Sequence, residues 1–350
     1  MATIVLTGGG SAGHCTPHLA LLPYLKNDFE KIYYIGSKNG IEKEIIEKQG
    51  IPYYSIPCAK LVRSLSAKNL TMPFKVIAGI NEAGKILDLL SPDVVFSKGG
   101  YVALPVVFAA SKRNIPIIAH ESDYTVGLAN KLSANKTKKV FTSFPSTARA
   151  LKNGEYIGSP IRNLLKNTNK TDALKFFKFS GEKPILLVMG GSLGAEKINK
   201  VFRYSLDNIL PKFDVIHICG KGGIDKNINK KGYYQAEYLH NIEYALTIAS
   251  VCVTRAGSNA LFELLSLKKP CVVIPLPKGT SRGDQVLNAS YFQKEGVISV
   301  LPQNDLTANS LTNYIYAVYA NRFYIERTLS IKPVEDKSRE ISRRLADYAR

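Results

Sequence analysis

Acidic residues are scarce in this chain of 350 residues: 28 aspartates and glutamates stand against 47 lysines and arginines, a formal net charge of +19. Such a surface favours anionic partners, whether nucleic acid, phosphorylated small molecules or an anionic membrane face. Cysteine is sparse too, five residues with no C-x-x-C pair, which excludes a zinc ribbon or a disulfide framework. Cys219, Cys252 and Cys271 lie in apolar runs and read as small core residues of a protein in a reducing cytosol. No uncharged stretch approaches the roughly 20 residues of a membrane-spanning helix. The N-terminus lacks the charge pattern of a signal peptide, so any membrane contact is expected to be peripheral. There is no low-complexity tract and no short-period repeat. No D-x-D pair occurs, so a metal held through that motif is not expected, nor is any cofactor.

What the chain does have is an alternation of strand and helix patterns. Strands are expected at Thr3–Thr7, Lys31–Ile35, Pro52–Ile56, Val94–Ser97, Ile115–His120 and Lys139–Thr142. Helices are expected at Pro17–Lys26, Ile41–Gln49, Pro73–Leu90, Tyr101–Arg113 and Thr125–Ser133. A second series starts at Pro184, with strands at Ile185–Met189, Phe213–Cys219, Ala236–Tyr238, Val251–Thr254, Cys271–Ile274 and Gly296–Leu301. Such alternation implies α/β domains with parallel sheets. The length suits two of them, at roughly 100–200 residues each. The expected division is 1–162, completed by a C-terminal helix over 335–350, and 163–334.

Both halves open alike. A short apolar strand runs into glycines and then a helix: Gly8 to Gly13 in the first half, Gly190-Gly191-Ser192 in the second. A helix start after such a turn collects backbone N–H groups and the positive end of the helix dipole, a seat for phosphate. The first turn also fits the dinucleotide fingerprint G-x-G-x-x-G, but Gly36-Ser37-Lys38 ends the second strand without the carboxylate that a nicotinamide ribose needs. The second turn fits G-x-S-x-G, the hydrolase nucleophile elbow; against it, only His217, inside an apolar strand, and His240 follow Ser192.

Other polar clusters sit where strands end. His14, at a helix start, can serve as a general base. His120 and Glu121 are adjacent and so point to opposite sides of a strand, one toward a ligand and one supporting it; Asp123 can cap the next helix. Arg255 to Glu263 follows the strand Val251–Thr254 and can present N–H groups to a diphosphate, with Glu263 placed to accept both hydroxyls of a ribose. Gln285 and Asn288 share a helix face, and their amides suit sugar hydroxyls. Arg162 or Arg255 can neutralise a leaving diphosphate. The segment from Leu65 and Leu70 through Phe74, Lys75 and Ile77 joins apolar and cationic residues in a way that can dock on anionic lipid.

The motifs TGGGSAGH, SKGGYVALPVVFAA, HESDYTVGLANK, GSPIR, MGGSLGAEKIN, TRAGSNALFE and GDQVLNA occur in this order. Together the chain resembles the MurG family of peptidoglycan glycosyltransferases, over nearly its whole length. The resemblance implies two Rossmann-like domains facing across a cleft, the GT-B architecture. It implies transfer of N-acetylglucosamine from UDP-GlcNAc to the 4-hydroxyl of the muramoyl sugar of lipid I, an undecaprenyl-diphosphate-linked muramoyl peptide, with inversion. The expected place is the cytoplasmic face of the cell membrane, with roles in cell wall synthesis and cell division and no nucleic-acid partner. By the same resemblance Ser11, Ala12 and Gly13 contact donor and acceptor, and Arg162, Ser192 and Asp123 contact the donor. Leu239 sets its backbone against the uracil beside Tyr238. Ala256, Gly257, Ser258, Asn259, Ala260 and Leu261 wrap the nucleotide, Glu263 holds the ribose, Gln285 takes the sugar, and His14 attends the attacking hydroxyl. The chain departs from the family where Ser11-Ala12 replace Thr-Gly, and where HESD stands for HEQN and makes Asp123 a carboxylate. Two other readings keep or abandon this fold: a UDP-sugar epimerase, which needs no acceptor, and a basic nucleic-acid binder, for which aromatic-rich basic motifs are lacking.

Overall fold

The computed structural model describes residues 2–59, 72–165, 168–191, 194–279 and 282–349, with Ala12 described in its backbone alone. The chain forms two compact units, one of residues 1–162 and 335–350 and the other of 163–334.

In unit 1, seven strands run β1 (Thr3–Thr7), β2 (Lys31–Ser37), β3 (Tyr53–Ile56), β4 (Val94–Ser97), β5 (Ile117–Glu121), β6 (Lys139–Thr142) and β7 (Gly154–Tyr156). Between them lie α1 (Thr16–Asp28), α2 (Ile41–Glu47), α3 (Met72–Leu90), α4 (Ala103–Ser111), α5 (Leu128–Ser133) and α6 (Pro145–Arg149). All strand pairs are parallel, in the order β3-β2-β1-β4-β5-β6-β7. A parallel sheet covered on both faces needs apolar residues at successive positions, and β1 shows it. Ile4 and Leu6 enter one core with Leu21 and Leu25 of α1, while Val5 enters the other with Ala83, Val106 and Val107.

Unit 2 repeats the plan. Its strands are β8 (Ile185–Met189), β9 (Asp214–Ile218), β10 (Tyr233–Ala236), β11 (Ala249–Thr254), β12 (Cys271–Val273) and β13 (Ser299–Val300). They pair in parallel in the order β10-β9-β8-β11-β12-β13. The helices are α7 (Lys170–Phe177), α8 (Glu196–Tyr204), α9 (Leu206–Ile209), α10 (Ile242–Ile248), α11 (Ser258–Ser266), α12 (Asp284–Lys294), α13 (Ala308–Ala320) and α14 (Arg322–Ile331).

The last helix, α15 (Ser338–Tyr348), returns to unit 1, where Ile341 and Leu345 complete the core beside α1. The returning chain is clipped to the departing one: Ile161 N–H donates to Asp336 Oδ1 at 2.9 Å and Lys337 N–H to the Ser159 carbonyl at 3.1 Å. The sequence reading differs from this fold mainly at polar or short elements. It placed β10 at Ala236–Tyr238, whereas the strand is Tyr233–Ala236. It missed α6 and β7, whose five and three residues are too few to show a period.

In each sheet the order reverses direction between the first strand and the fourth of that unit, at β1/β4 and at β8/β11. Crossovers leave opposite faces there, so the carboxyl ends of the two strands open a crevice in which ligands of such sheets bind.

Candidate functional site

In unit 1 the switch point is formed by the turn after β1 and the turn after β4, pressed together. Gly100 has φ +80°, and a Cβ on it would strike the Gly9 carbonyl. Gly10 has φ +85° and lies against the Tyr101 ring. Only glycine tolerates both the dihedral and the approach. Ser11 and Gly13 are exposed, and Oγ of Ser11 lies 2.9 Å from Nδ1 of the half-buried His14. The backbone holds that pair in register, with His14 N–H donating to the Ser11 carbonyl at 3.1 Å.

Beneath the turns lies a layer of buried polar residues that motif reading passes over. The Glu42 carboxylate, at the start of α2, is wholly buried and accepts from Ser37 N–H at 3.1 Å and Gly10 N–H at 3.4 Å. The end of β2 thus has a carboxylate after all, supplied by the next helix rather than by the strand. It supports the glycine turn from below, at the place where a Gly9 Cβ would sit. A glutamate in the first turn of α2 was the signal available. His18 is buried beneath the same turn and held neutral, its pKa pushed well below the ordinary value chiefly by burial and then by Lys98. Burial lifts the Cys15 thiol to about 12, which removes it as a nucleophile.

His120 and Glu121 need a correction. The sequence suggests one ligand-facing residue and one support, but both are supports. His120 is fully buried, with Nε2–H donating to the Gly158 carbonyl at 2.9 Å and Nδ1 2.5 Å from Lys98 Nζ. Glu121 is 6% exposed, and its carboxylate accepts from Asp123 N–H at 3.1 Å, Gly127 N–H at 2.7 Å and Asn130 Nδ2 at 2.9 Å. It therefore shapes the loop 122–127. Asp123 is half-buried on that loop; it does not cap α5, whose N-cap position is Gly127. Arg162, half-buried, is the last residue of unit 1 before the crossing.

In unit 2 the switch point joins the glycine turn after β8 to the turn after β11. Gly191 (φ +87°) and Gly194 (φ +75°) bend the chain into α8; Ser192 lies outside the described residues. After β11, Ala256 is fully buried, Gly257 occupies the N-cap of α11, and the opening N–H groups of that helix face out of its end. Asn259, Ala260 and Glu263 are half-buried, whereas Ser258 and Leu261 are buried. Leu261 donates its N–H to the Gly257 carbonyl at 3.1 Å, so both its side chain and its N–H serve the helix rather than a ligand. Leu239 is buried just after β10, beside Tyr238, which is 66% exposed and in edge contact with His240.

Two further expectations are overturned by burial. Asn288 is completely buried and Nδ2 donates to the Ala256 carbonyl at 3.1 Å. Its three-residue spacing from Gln285 does put them on one face, but Asn288 is sealed in the protein whereas Gln285 is half-buried. Gln285 Oε1 in turn accepts from Leu276 N–H at 3.1 Å. Asn288 is a brace for the β11 turn, not a sugar ligand. Arg255 is likewise sealed, with Nη1 donating to the Ile274 carbonyl at 3.1 Å and its pKa lowered to about 10 by burial. It braces β12 and does not meet a leaving group. His217 is buried between Asn199 Oδ1 at 3.0 Å and Tyr233 OH at 2.8 Å, its pKa lowered to about 3 mainly by burial. It is a structural histidine, which removes it as a hydrolase base.

On the outside of unit 1, the first turns of α3 carry Phe74 (75% exposed), Ile77 (56% exposed) and the exposed Lys75, while Gly79, Ala83 and Leu87 farther along are buried. Leu65 and Leu70 lie outside the described residues. Among the described residues no helix is long and apolar enough to cross a membrane, and no cluster of metal-ligating side chains occurs.

Residues 4–142 match the family model described as the glycosyltransferase family 28 N-terminal domain, and residues 185–345 match the glycosyltransferase family 28 C-terminal domain. The chain is 49% identical over 319 residues to a Bacillus thuringiensis (strain Al Hakam) protein named UDP-N-acetylglucosamine–N-acetylmuramyl-(pentapeptide) pyrophosphoryl-undecaprenol N-acetylglucosamine transferase 3, covering 90% of this chain and 91% of the relative. A Clostridium botulinum (strain Langeland) protein of the same name without the numeral is 45% identical over the whole of both chains. Among solved structures, MurG of Acinetobacter baumannii has the same fold, with a TM-score of 0.75 at 22% identity, covering 99% of this chain and 100% of that one.

Proposed function

The chain belongs to glycosyltransferase family 28, and from that premise we propose that it transfers N-acetylglucosamine from UDP-GlcNAc to the 4-hydroxyl of the muramoyl sugar of lipid I, at the cytoplasmic face of the cell membrane. The observation that carries this reading is the unit 2 switch point. There the open N-terminus of α11 and the half-buried Glu263 in its second turn offer a diphosphate seat and a ribose acceptor side by side.

UDP-GlcNAc is a substrate, and no separate cofactor is invoked. Unit 2 is the donor side. Main-chain N–H groups of Gly257 to Asn259 take the diphosphate, the backbone at Leu239 takes the uracil, Glu263 takes the ribose hydroxyls and Gln285 lies near the sugar. Unit 1 is the acceptor side, with Ser11, Ala12 and Gly13 forming the turn. If the Ser11 hydroxyl accepts from Nδ1–H, Nε2 of His14 holds the lone pair that takes the proton of the attacking hydroxyl. The hydroxyl oxygen bonds to the anomeric carbon as the bond to the β-phosphate oxygen breaks, and its electron pair leaves with UDP. A single displacement of this kind inverts the anomeric centre. The apolar, cationic start of α3 supports peripheral docking on anionic lipid.

The test is UDP release from UDP-GlcNAc and a lipid-linked muramoyl acceptor, with a chelator present. Acceptor-dependent UDP release with a β-linked disaccharide product is expected. Absence of transfer under all conditions, or conversion of UDP-GlcNAc without acceptor, would overturn the reading. Glu263→Ala is expected to raise KM for UDP-GlcNAc about tenfold or more; an unchanged KM removes the ribose role.

A further inference from the structure

Arg203 lies in α8, the helix that follows the Gly191–Gly194 turn, and has no part in the chemistry above. It is half-buried, and its Nε is sealed without a hydrogen-bond partner. A sealed donor left unpaired costs stability, so the guanidinium is held in place by what its other end reaches. Nη2 donates to the Gly223 carbonyl, to Oε1 of Gln235 at 3.0 Å and to Sγ of Cys219 at 3.5 Å. One nitrogen thus gathers the loop after β9 and a side chain of β10.

That loop touches both sides of the proposed donor site. Asn199 stands one turn before Arg203 on the same face of α8, and its Nδ2 donates to the Cys219 carbonyl at 2.7 Å. The glycine turn after β8 presses on the same carbonyl: a Cβ on Gly194 would lie 2.5 Å from it. On its other side the loop is zipped to the end of β10. Gly220 N–H donates to the Glu237 carbonyl at 3.0 Å and Gly222 N–H to the Glu237 carboxylate at 2.8 Å. Gln235 pairs with the Asp225 backbone in both directions, accepting from its N–H at 3.2 Å and donating to its carbonyl at 3.0 Å. The loop therefore spans from the glycine turn of the switch point to Glu237, two residues before the Leu239 backbone proposed to take the uracil.

We propose that Arg203 is a positioning residue for the donor. By pinning the loop after β9, it fixes the spacing between the phosphate end and the base end of the nucleotide site. A nucleoside diphosphate gains from being held at both ends only when that spacing is set in advance. A ligand that uses the base end alone gains nothing from it. The proposal rests on the reading of unit 2 as the donor side.

The experiment measures the affinities of wild type and Arg203→Met for UDP and for uridine by ligand-observed NMR, with KM and kcat for UDP-GlcNAc beside them. Affinity for UDP is expected to fall about tenfold and that for uridine by less than about twofold. KM for UDP-GlcNAc is expected to rise about tenfold, with kcat within about threefold of wild type. Unchanged affinity for UDP overturns the proposal. So does an equal loss for both ligands, which an ordinary brace of the base segment would give, or a fall in kcat with KM unchanged. Gln235→Met removes the shared acceptor from the opposite side. It is expected to give the same selective loss, and it decides the question if Arg203→Met fails to fold. Wild type that binds no UDP would overturn the donor reading of unit 2 and the proposal with it; wild type that binds UDP beside variants that bind it equally well overturns the role of Arg203 alone.

Discussion

The Asn288 side chain donates to the Ala256 carbonyl at 3.1 Å and so joins the first turns of α12 to the turn after β11. The link is buried, and it sets the carbonyl and N–H directions of the turn that is proposed to hold the nucleotide.

Asn288→Ala leaves that carbonyl buried without its side-chain donor, an expected cost of about 1–3 kcal/mol in stability. Because the brace acts through the turn, binding of UDP itself is expected to weaken about tenfold. A direct sugar contact would leave the affinity for UDP unchanged and alter only that for UDP-GlcNAc. Calorimetric titration with the two ligands separates the cases.

Helix α15 belongs to unit 1 through the buried Ile341 and Leu345. Leu345→Ala is expected to destabilise the protein by about 2–5 kcal/mol through lost burial and a residual cavity. Below its unfolding temperature the variant should bind UDP as wild type does, since the residue lies in the core of unit 1 and the proposed donor residues belong to unit 2. A thermal melt beside a UDP titration checks both halves of the statement.

Lys98 makes stability depend on pH with a definite sign. Its amine titrates near 7 in the folded chain and at about 10.4 when unfolded. Between these values the unfolded chain binds a proton that the folded chain does not, so stability rises with pH, by at most about 1.4 kcal/mol per unit. The burial penalty is fully present below the folded value and is relieved above it. Urea midpoints of wild type and Lys98→Met, measured together, should diverge in favour of wild type as pH rises through this window. Parallel curves would show that the amine stays charged.

The start of α3 exposes Phe74 and Ile77 beside Lys75. Replacing both apolar residues by serine is expected to cut co-sedimentation with anionic vesicles at least about fivefold, at little cost in stability because neither is buried. Unchanged sedimentation would move the docking surface elsewhere.

Much of the fold was legible in the residues because the signals were local. Ile185–Met189 and Thr3–Thr7 are the strands expected, since strands covered on both faces must be apolar throughout. The two Rossmann-like α/β units of a GT-B glycosyltransferase follow from repeating that unit. Tyr233–Ala236 was displaced in the reading because its aromatic and amide residues lack a strand's apolar pattern. The site was less legible. Asn288 and Gln285 share a face at their spacing, but spacing does not say which face is covered. Glu42 and Lys98 carry no spacing that marks them, and only their burial and partners show what they hold.

The chain alone determined where the glycine turns stand and which strands precede them, because a tight turn needs glycine and a covered parallel strand needs unbroken apolar residues. Only the tertiary structure decided which polar side chains look outward and which brace the turns. Asn288 meets Ala256, Glu42 meets Gly10 and Lys98 meets His120 across gaps of 32, 32 and 22 residues. Burial and hydrogen-bond partners over such separations are set by how the elements pack, and no local pattern encodes them.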